Sequence, residues 1–175
     1  MLRKSLVLAA LSLTTLLPAV ASAQVRGPFE VLFAASGVNG NDFNGFSGAL
    51  NFGFGYFITQ DQIEISVRQS LQYTDIGVPR SLDGSTRIAA DFHIPLGDQN
   101  QFLPFIGVNL GYVYGDSVRD TWEAAPEAGI KWFVGNDVFV FGQVEYQFFF
   151  RSGSNIQNGF NNGQWVYTGG IGFRF

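Results

Sequence analysis

The chain has 175 residues, a formal net charge of −4 and no cysteine, yet 46% of its residues are hydrophobic and 19 are phenylalanine. The acidic balance provides no basic patch of the kind nucleic acid requires, and the absence of cysteine rules out a disulfide framework. The apolar loading is heavy for a water-soluble domain.

The first residues read as an address. Arg3 and Lys4 form a short positive region, Leu6 to Val20 a mostly apolar core, and Ala21-Ser22-Ala23 a small-residue cleavage site before Gln24. This pattern predicts a secretory signal peptide over residues 1–23, with a single domain over residues 24–175. A membrane-spanning helix is the competing reading. It needs about 20 apolar residues, and the apolar core here is short and broken by Thr14, Thr15 and Pro18.

From Phe29 onward the chain alternates. Eight segments are predicted as strands, each with an apolar face and a contrasting one. The first, about Phe29 to Ser36, sets Phe29, Val31, Phe33 and Ala35 against Glu30. The second runs from Phe46 to Tyr56. The third, Ile63 to Tyr73, opposes its apolar set with Glu64 and Arg68, and the fourth, Thr86 to Ile94, with Arg87, Asp91 and His93. The fifth spans Pro104 to Tyr114. The sixth, Trp122 to Trp132, carries Glu123, Glu127 and Lys131 on its second face, and the seventh, Val138 to Phe150, carries Glu145. The eighth, Trp165 to Phe175, sets Phe175, Phe173, Ile171, Gly169, Tyr167 and Trp165 against Arg174, Gly172, Gly170, Thr168 and Val166.

The charges sort completely. No Asp, Glu, Lys or Arg falls on any of the eight apolar faces. A basic side chain facing lipid near mid-bilayer costs roughly 2–4 kcal/mol, so this sorting is what lipid contact demands. The expected fold is all-β: a closed, antiparallel, eight-stranded transmembrane up-and-down barrel.

The connections support an orientation. Ile58 to Gln62, Leu96 to Gln101 and Gly135 to Asp137 read as short periplasmic turns. Gly37 to Gly45, Asp75 to Ser85, Gly115 to Thr121 and Ser152 to Gln164 read as mostly longer external loops. Trp122 and Trp132 mark the two ends of the sixth strand, as aromatic girdles require. Pro126 fits poorly, because it cannot donate to a ladder and a closed barrel has no edge. The segment could start a helix; the shared parity of Trp122, Ile130 and Trp132 favours a strand with a local bulge.

These patterns resemble the small eight-stranded outer-membrane barrels of the OmpA/OmpX type over essentially all of residues 24–175. The resemblance rests on Asn51-Phe-Gly-Phe-Gly-Tyr-Phe57, Pro104-Phe-Ile-Gly-Val-Asn-Leu-Gly-Tyr112, Glu127-Ala-Gly-Ile-Lys-Trp-Phe133 and the terminal Phe175. It implies the bacterial outer membrane as location, its lipids as surroundings, periplasmic chaperones as escorts and insertion by the barrel-assembly machinery. In that family Tyr167, Gly169, Ile171, Phe173 and Phe175 would serve as the assembly signal. The resemblance implies no single activity.

The second faces fill the barrel. Eight strands enclose a space just wide enough for side chains. The inward set (Glu30, Glu64, Arg68, Arg87, Asp91, His93, Glu123, Glu127, Lys131 and Glu145, with Arg151 and Arg174) is near balance and predicts a network of ion pairs. Leu103, Phe105, Phe133, Phe139 and Phe141 predict an apolar plug at the periplasmic end. A monomeric protein with a structural or surface-interaction role follows; a small pore or transporter of hydrophobic solutes is the alternative. His93, two residues after Asp91, raises the prospect of a rim-located lipid-modifying enzyme, but it stands at the periplasmic end without a well-placed serine. It reads instead as a histidine satisfied within the network, whose replacement by Ala leaves folding unchanged. No catalytic residue, cofactor or metal site is expected. The long uncharged segment from Ser152 to Gln164 is either a flexible loop or a contact surface.

Overall fold

In the computed structural model, the described residues are 26–40, 47–74, 81–116, 121–150 and 163–175. The expected signal peptide, Arg151 and most of the Ser152–Gln164 segment lie outside them. The described residues form eight strands: β1 (Phe29–Gly40), β2 (Ser47–Phe57), β3 (Ile63–Thr74), β4 (Ser81–His93), β5 (Phe102–Gly115), β6 (Thr121–Phe133), β7 (Val138–Phe150) and β8 (Gln164–Arg174). Each pairs antiparallel with the next, and β1 pairs with β8, so the sheet closes on itself. Closure gives every strand two neighbours and removes the unpaired edges that an open sheet exposes.

The period of two sets which residues face out. Phe33, Leu50, Val67, Ile88, Ile106, Val108 and Ile171 stand exposed on the outside, while their chain neighbours point in. Among the described residues, the exposed charges are Asp98, Asp116 and Asp137, all in connections. A soluble barrel has the reverse arrangement, and this outward surface is suited to hydrocarbon. Aromatic pairs bind neighbouring strands at both rims: Tyr112 with Trp122 and Tyr146 with Trp165 at one end, Phe102 with Trp132 and Phe29 with Tyr56 at the other.

Two expectations need correcting. The strands run further into the external connections than predicted: β1 continues to Gly40 and β4 starts at Ser81. The alternation persists there, with Leu82 outward and Asp83 inward, so nothing stops the ladder. Nor does Pro126 sit in a bulge. The β6–β7 register is the same on both sides of it, Ala124 facing Phe148 and Glu127 facing Glu145, so no residue is inserted. Instead the ladder to β7 lapses over Ala125 and Pro126, while pairing to β5 runs through Val108↔Pro126. The imino acid aims its missing donor at β7, and the strand keeps its course.

Candidate functional site

The chemistry of this barrel lies in its interior, in three tiers. The first is at the end that holds Phe29 and Phe175, periplasmic on the sequence reading. Two cations meet there. Arg174 donates to Asp61 and, through Nε, to the carbonyl of Gly27 at 3.1 Å; its guanidinium lies 3.8 Å from the centre of the Phe57 ring. Arg26 stacks 3.5 Å over Phe133. Burial pulls the Arg26 guanidinium below its ordinary value, and Asp61 opposes that pull. Beneath these cations Leu32, Leu103, Phe133, Phe139 and Phe141 form one apolar cluster.

The second tier is built on Lys131. Its Nζ donates to Glu30 Oε1 at 2.5 Å and to Glu64 Oε2 at 2.6 Å. The rings of Phe57, Phe139 and Phe105 surround the ammonium at 5.2, 5.3 and 5.9 Å, within cation–π range. His93 is fully buried between Phe57 and Phe105, with ring centroids 5.2 and 5.1 Å away.

The third tier occupies the middle. Arg68 donates through Nη1 to both oxygens of Glu127, at 2.9 and 3.1 Å, and through Nη2 to Asp91 at 2.5 Å. Arg87 donates to Glu145 at 2.5 Å and lies 3.7 Å from Glu123. Asn109 joins the two halves, its Nδ2 donating to Glu127 at 2.6 Å and to Glu145 at 2.8 Å. Gly107 makes space on β5, because a Cβ there would fall 1.9 Å from Asp91 Oδ1. Buried charges of this kind persist only where partners and hydrogen bonds offset the lost hydration. A cavity of about 20 Å³ lies against Arg68 and Arg87, with Ala34, Asn51 and Gly53 on its wall, room for about one water.

Among the described residues, a polar spot also lies on the outside. Gln69 donates to Tyr114 Oη at 2.8 Å and accepts from Thr86 at 2.7 Å. These groups satisfy one another, which lets polar atoms face lipid at low cost.

Every charged residue expected in the interior of the described strands is buried: Glu30, Glu64, Arg68, Arg87, Asp91, Glu123, Glu127, Lys131, Glu145 and Arg174. Tyr167, Gly169, Ile171, Phe173 and Phe175 stand on the outward face. Phe175 exchanges backbone hydrogen bonds with Phe29 at 2.9 and 3.1 Å.

His93 departs from expectation. Neither ring nitrogen bonds to another side chain, and the carboxylate beside Nε2 is Glu64, at 3.5 Å, rather than Asp91. Asp91 turns to Arg68, so the two do not form an acid–base pair. With both faces against rings, His93 acts as core packing, and its removal would leave a hole. Among the described residues, no group of three or more His, Asp or Glu is arranged to hold a metal.

Parity in the sequence places Asn51 and Gln143 on inward faces without naming their partners, Ser36 for Asn51 and Arg68 and Glu127 for Gln143. Sequence reasoning missed Arg26, Asp61 and Asn109, of which Asn109 shares the inward parity and was legible there. Arg26 and Asp61 lie outside the strands, where alternation gives no guide.

No protein-family model matches the sequence, and no curated protein sequence matches it. Solved structures do match in shape. The N-terminal β-barrel domain of Pseudomonas aeruginosa OprF aligns with a TM-score of 0.61 at 18% identity, over 87% of this chain and 100% of that one. Neisserial surface protein A aligns with a TM-score of 0.65 at 12% identity, over 84% and 97%. The outer membrane enzyme PagL aligns with a TM-score of 0.52 at 12% identity, over 82% and 99%, so the fold itself accommodates an enzyme. Closed topology, a lipid-compatible exterior and these likenesses together show that the chain has the fold of the small eight-stranded bacterial outer-membrane β-barrels.

Proposed function

We propose that this chain is an integral outer-membrane barrel, monomeric in lipid, with a structural or surface-interaction role and an interior closed to solutes. The observation that carries this reading is the filling of the interior. Three tiers of paired charges and an apolar cluster succeed one another along the axis, beside a cavity that holds about one water. A conducting path would have to break several buried ion pairs, each costing several kcal/mol once one partner is left alone. The exterior supports the monomer, since its described strand surfaces are charge-free and, apart from the mutually bonded Gln69, Thr86 and Tyr114, largely apolar, so that lipid alone satisfies them. On this reading the outer-membrane lipids are its solvent, the outward residues Tyr167 to Phe175 address it to the assembly machinery, and contacts with other molecules fall to the external connections.

The test is single-channel recording in planar bilayers with the refolded mature chain. We expect no stable conductance steps. Reproducible steps of uniform size would refute the closed interior and favour the pore or hydrophobic-solute transporter.

A further inference from the structure

Arg26 precedes the barrel wall, yet its side chain is held inside the periplasmic mouth. Its Nη1 donates to the carbonyl of Asn100 at 3.0 Å and its Nη2 to that of Gln99 at 3.1 Å, both in the β4–β5 turn. Its Nε donates to the carbonyl of Asn136 at 3.1 Å, in the β6–β7 turn. Asp61, in the β2–β3 turn, lies 4.0 Å from Nη1. One guanidinium therefore joins all three turns at this end, a use of the planar five-donor fork that an ammonium cannot copy.

The backbone beside it is fastened as well. Gly27 accepts from Arg174 Nε, and Pro28 accepts from the Phe57 amide at 2.8 Å. The chain crosses the barrel seam so tightly that a Cβ on Gly27 would fall 1.9 Å from the carbonyl carbon of Phe175. Glycine alone permits that approach.

Yet residues 26–28 belong to no strand, and little apolar burial secures them. Their attachment rests on hydrogen bonds, one stacked ring and a long ion pair at the rim of the barrel, outside the strand ladders. Segments held this way open at a lower free energy than the ladder beside them. We infer that Arg26, Gly27 and Pro28 form a strap that seals the periplasmic mouth, and that releasing it admits water and small solutes to the apolar cluster directly beneath it. The inference rests on the closed-interior reading above and adds a removable closure to it.

The absence of native cysteine makes the test clean. Leu103, fully buried in the apolar cluster beneath Arg26 and Arg174, is replaced by Cys as the reporter in the full mature chain, refolded into phosphatidylcholine vesicles. Reaction with a charged, water-soluble maleimide is then timed in this background and with Arg26→Ala added. Gly27→Ala provides a second way to lift the strap without altering its charge, should the first variant fail to fold; heat-modifiable gel mobility confirms the barrel in each. Slow labelling with the strap intact and at least tenfold faster labelling with it lifted is the expected result. Equally slow labelling in both overturns the strap and leaves the closed interior standing. Fast labelling in the intact background overturns the closed interior, and the strap with it.

Discussion

Lys131 on β6 donates to Glu30 on β1 across 2.5 Å, although the two strands stand three places apart around the barrel. Glu64 shares the same ammonium at 2.6 Å. Removing the cation would strand two carboxylates in a site with almost no access to water. Lys131→Met should lower stability by about 3–5 kcal/mol, the usual cost of breaking a buried pair from one side. Adding Glu30→Gln and Glu64→Gln should recover much of the loss. Urea unfolding in lipid vesicles, followed by tryptophan fluorescence, measures both; a triple variant no more stable than Lys131→Met would contradict the pairing.

His93 is predicted to matter for packing alone. Its ring fills the space between Phe57 and Phe105 without a side-chain hydrogen bond to either nitrogen. His93→Ala should cost about 2–5 kcal/mol, as large-to-small core truncations do. His93→Phe keeps the volume and should cost clearly less. The same unfolding measurement ranks them, and equal losses would mean that the imidazole nitrogens contribute something the geometry lacks.

The lapse in the β6–β7 ladder at Pro126 should be repairable. Register is preserved across it, so Pro126→Ala supplies a donor already aimed at β7. Hydrogen exchange read by NMR should find the new amide protected to a degree similar to its neighbours on β6. Rapid exchange at that amide would show that β7 is set back for another reason.

Much of this fold was legible because lipid and the packed interior impose opposite demands on successive residues. Glu123, Glu127 and Lys131 had to share a face opposite Trp122, Ile130 and Trp132, and they do. Leu82 and Asp83 carry the same alternation ahead of Thr86, the expected start of the fourth strand. Partners were harder to foresee. Parity places Arg68, Glu127 and Asp91 inside without saying which will touch, since that depends on the stagger of strands far apart in sequence. Arg26 and Asp61 were not legible, because residues outside the strands carry no period of two. His93 shows the same limit: facing inward does not decide whether a side chain bonds or packs, and here the imidazole lies between Phe57 and Phe105 while Lys131 takes Glu30 and Glu64.

The span of the ion pairs bears on how the barrel comes together. Lys131 reaches from β6 to β1, Arg68 from β3 to β6, and Arg87 from β4 to β7. In a flat sheet, strands three places apart are separated by roughly 14 Å, given about 4.8 Å per step. No hairpin, and no open sheet of partly assembled strands, can make these contacts. They require the sheet to curl until β8 approaches β1, whereas the Arg68–Asp91 pair, across the neighbouring strands β3 and β4, is open to a half-built sheet. Most of the reach of these cations is thus realised only in the completed ring.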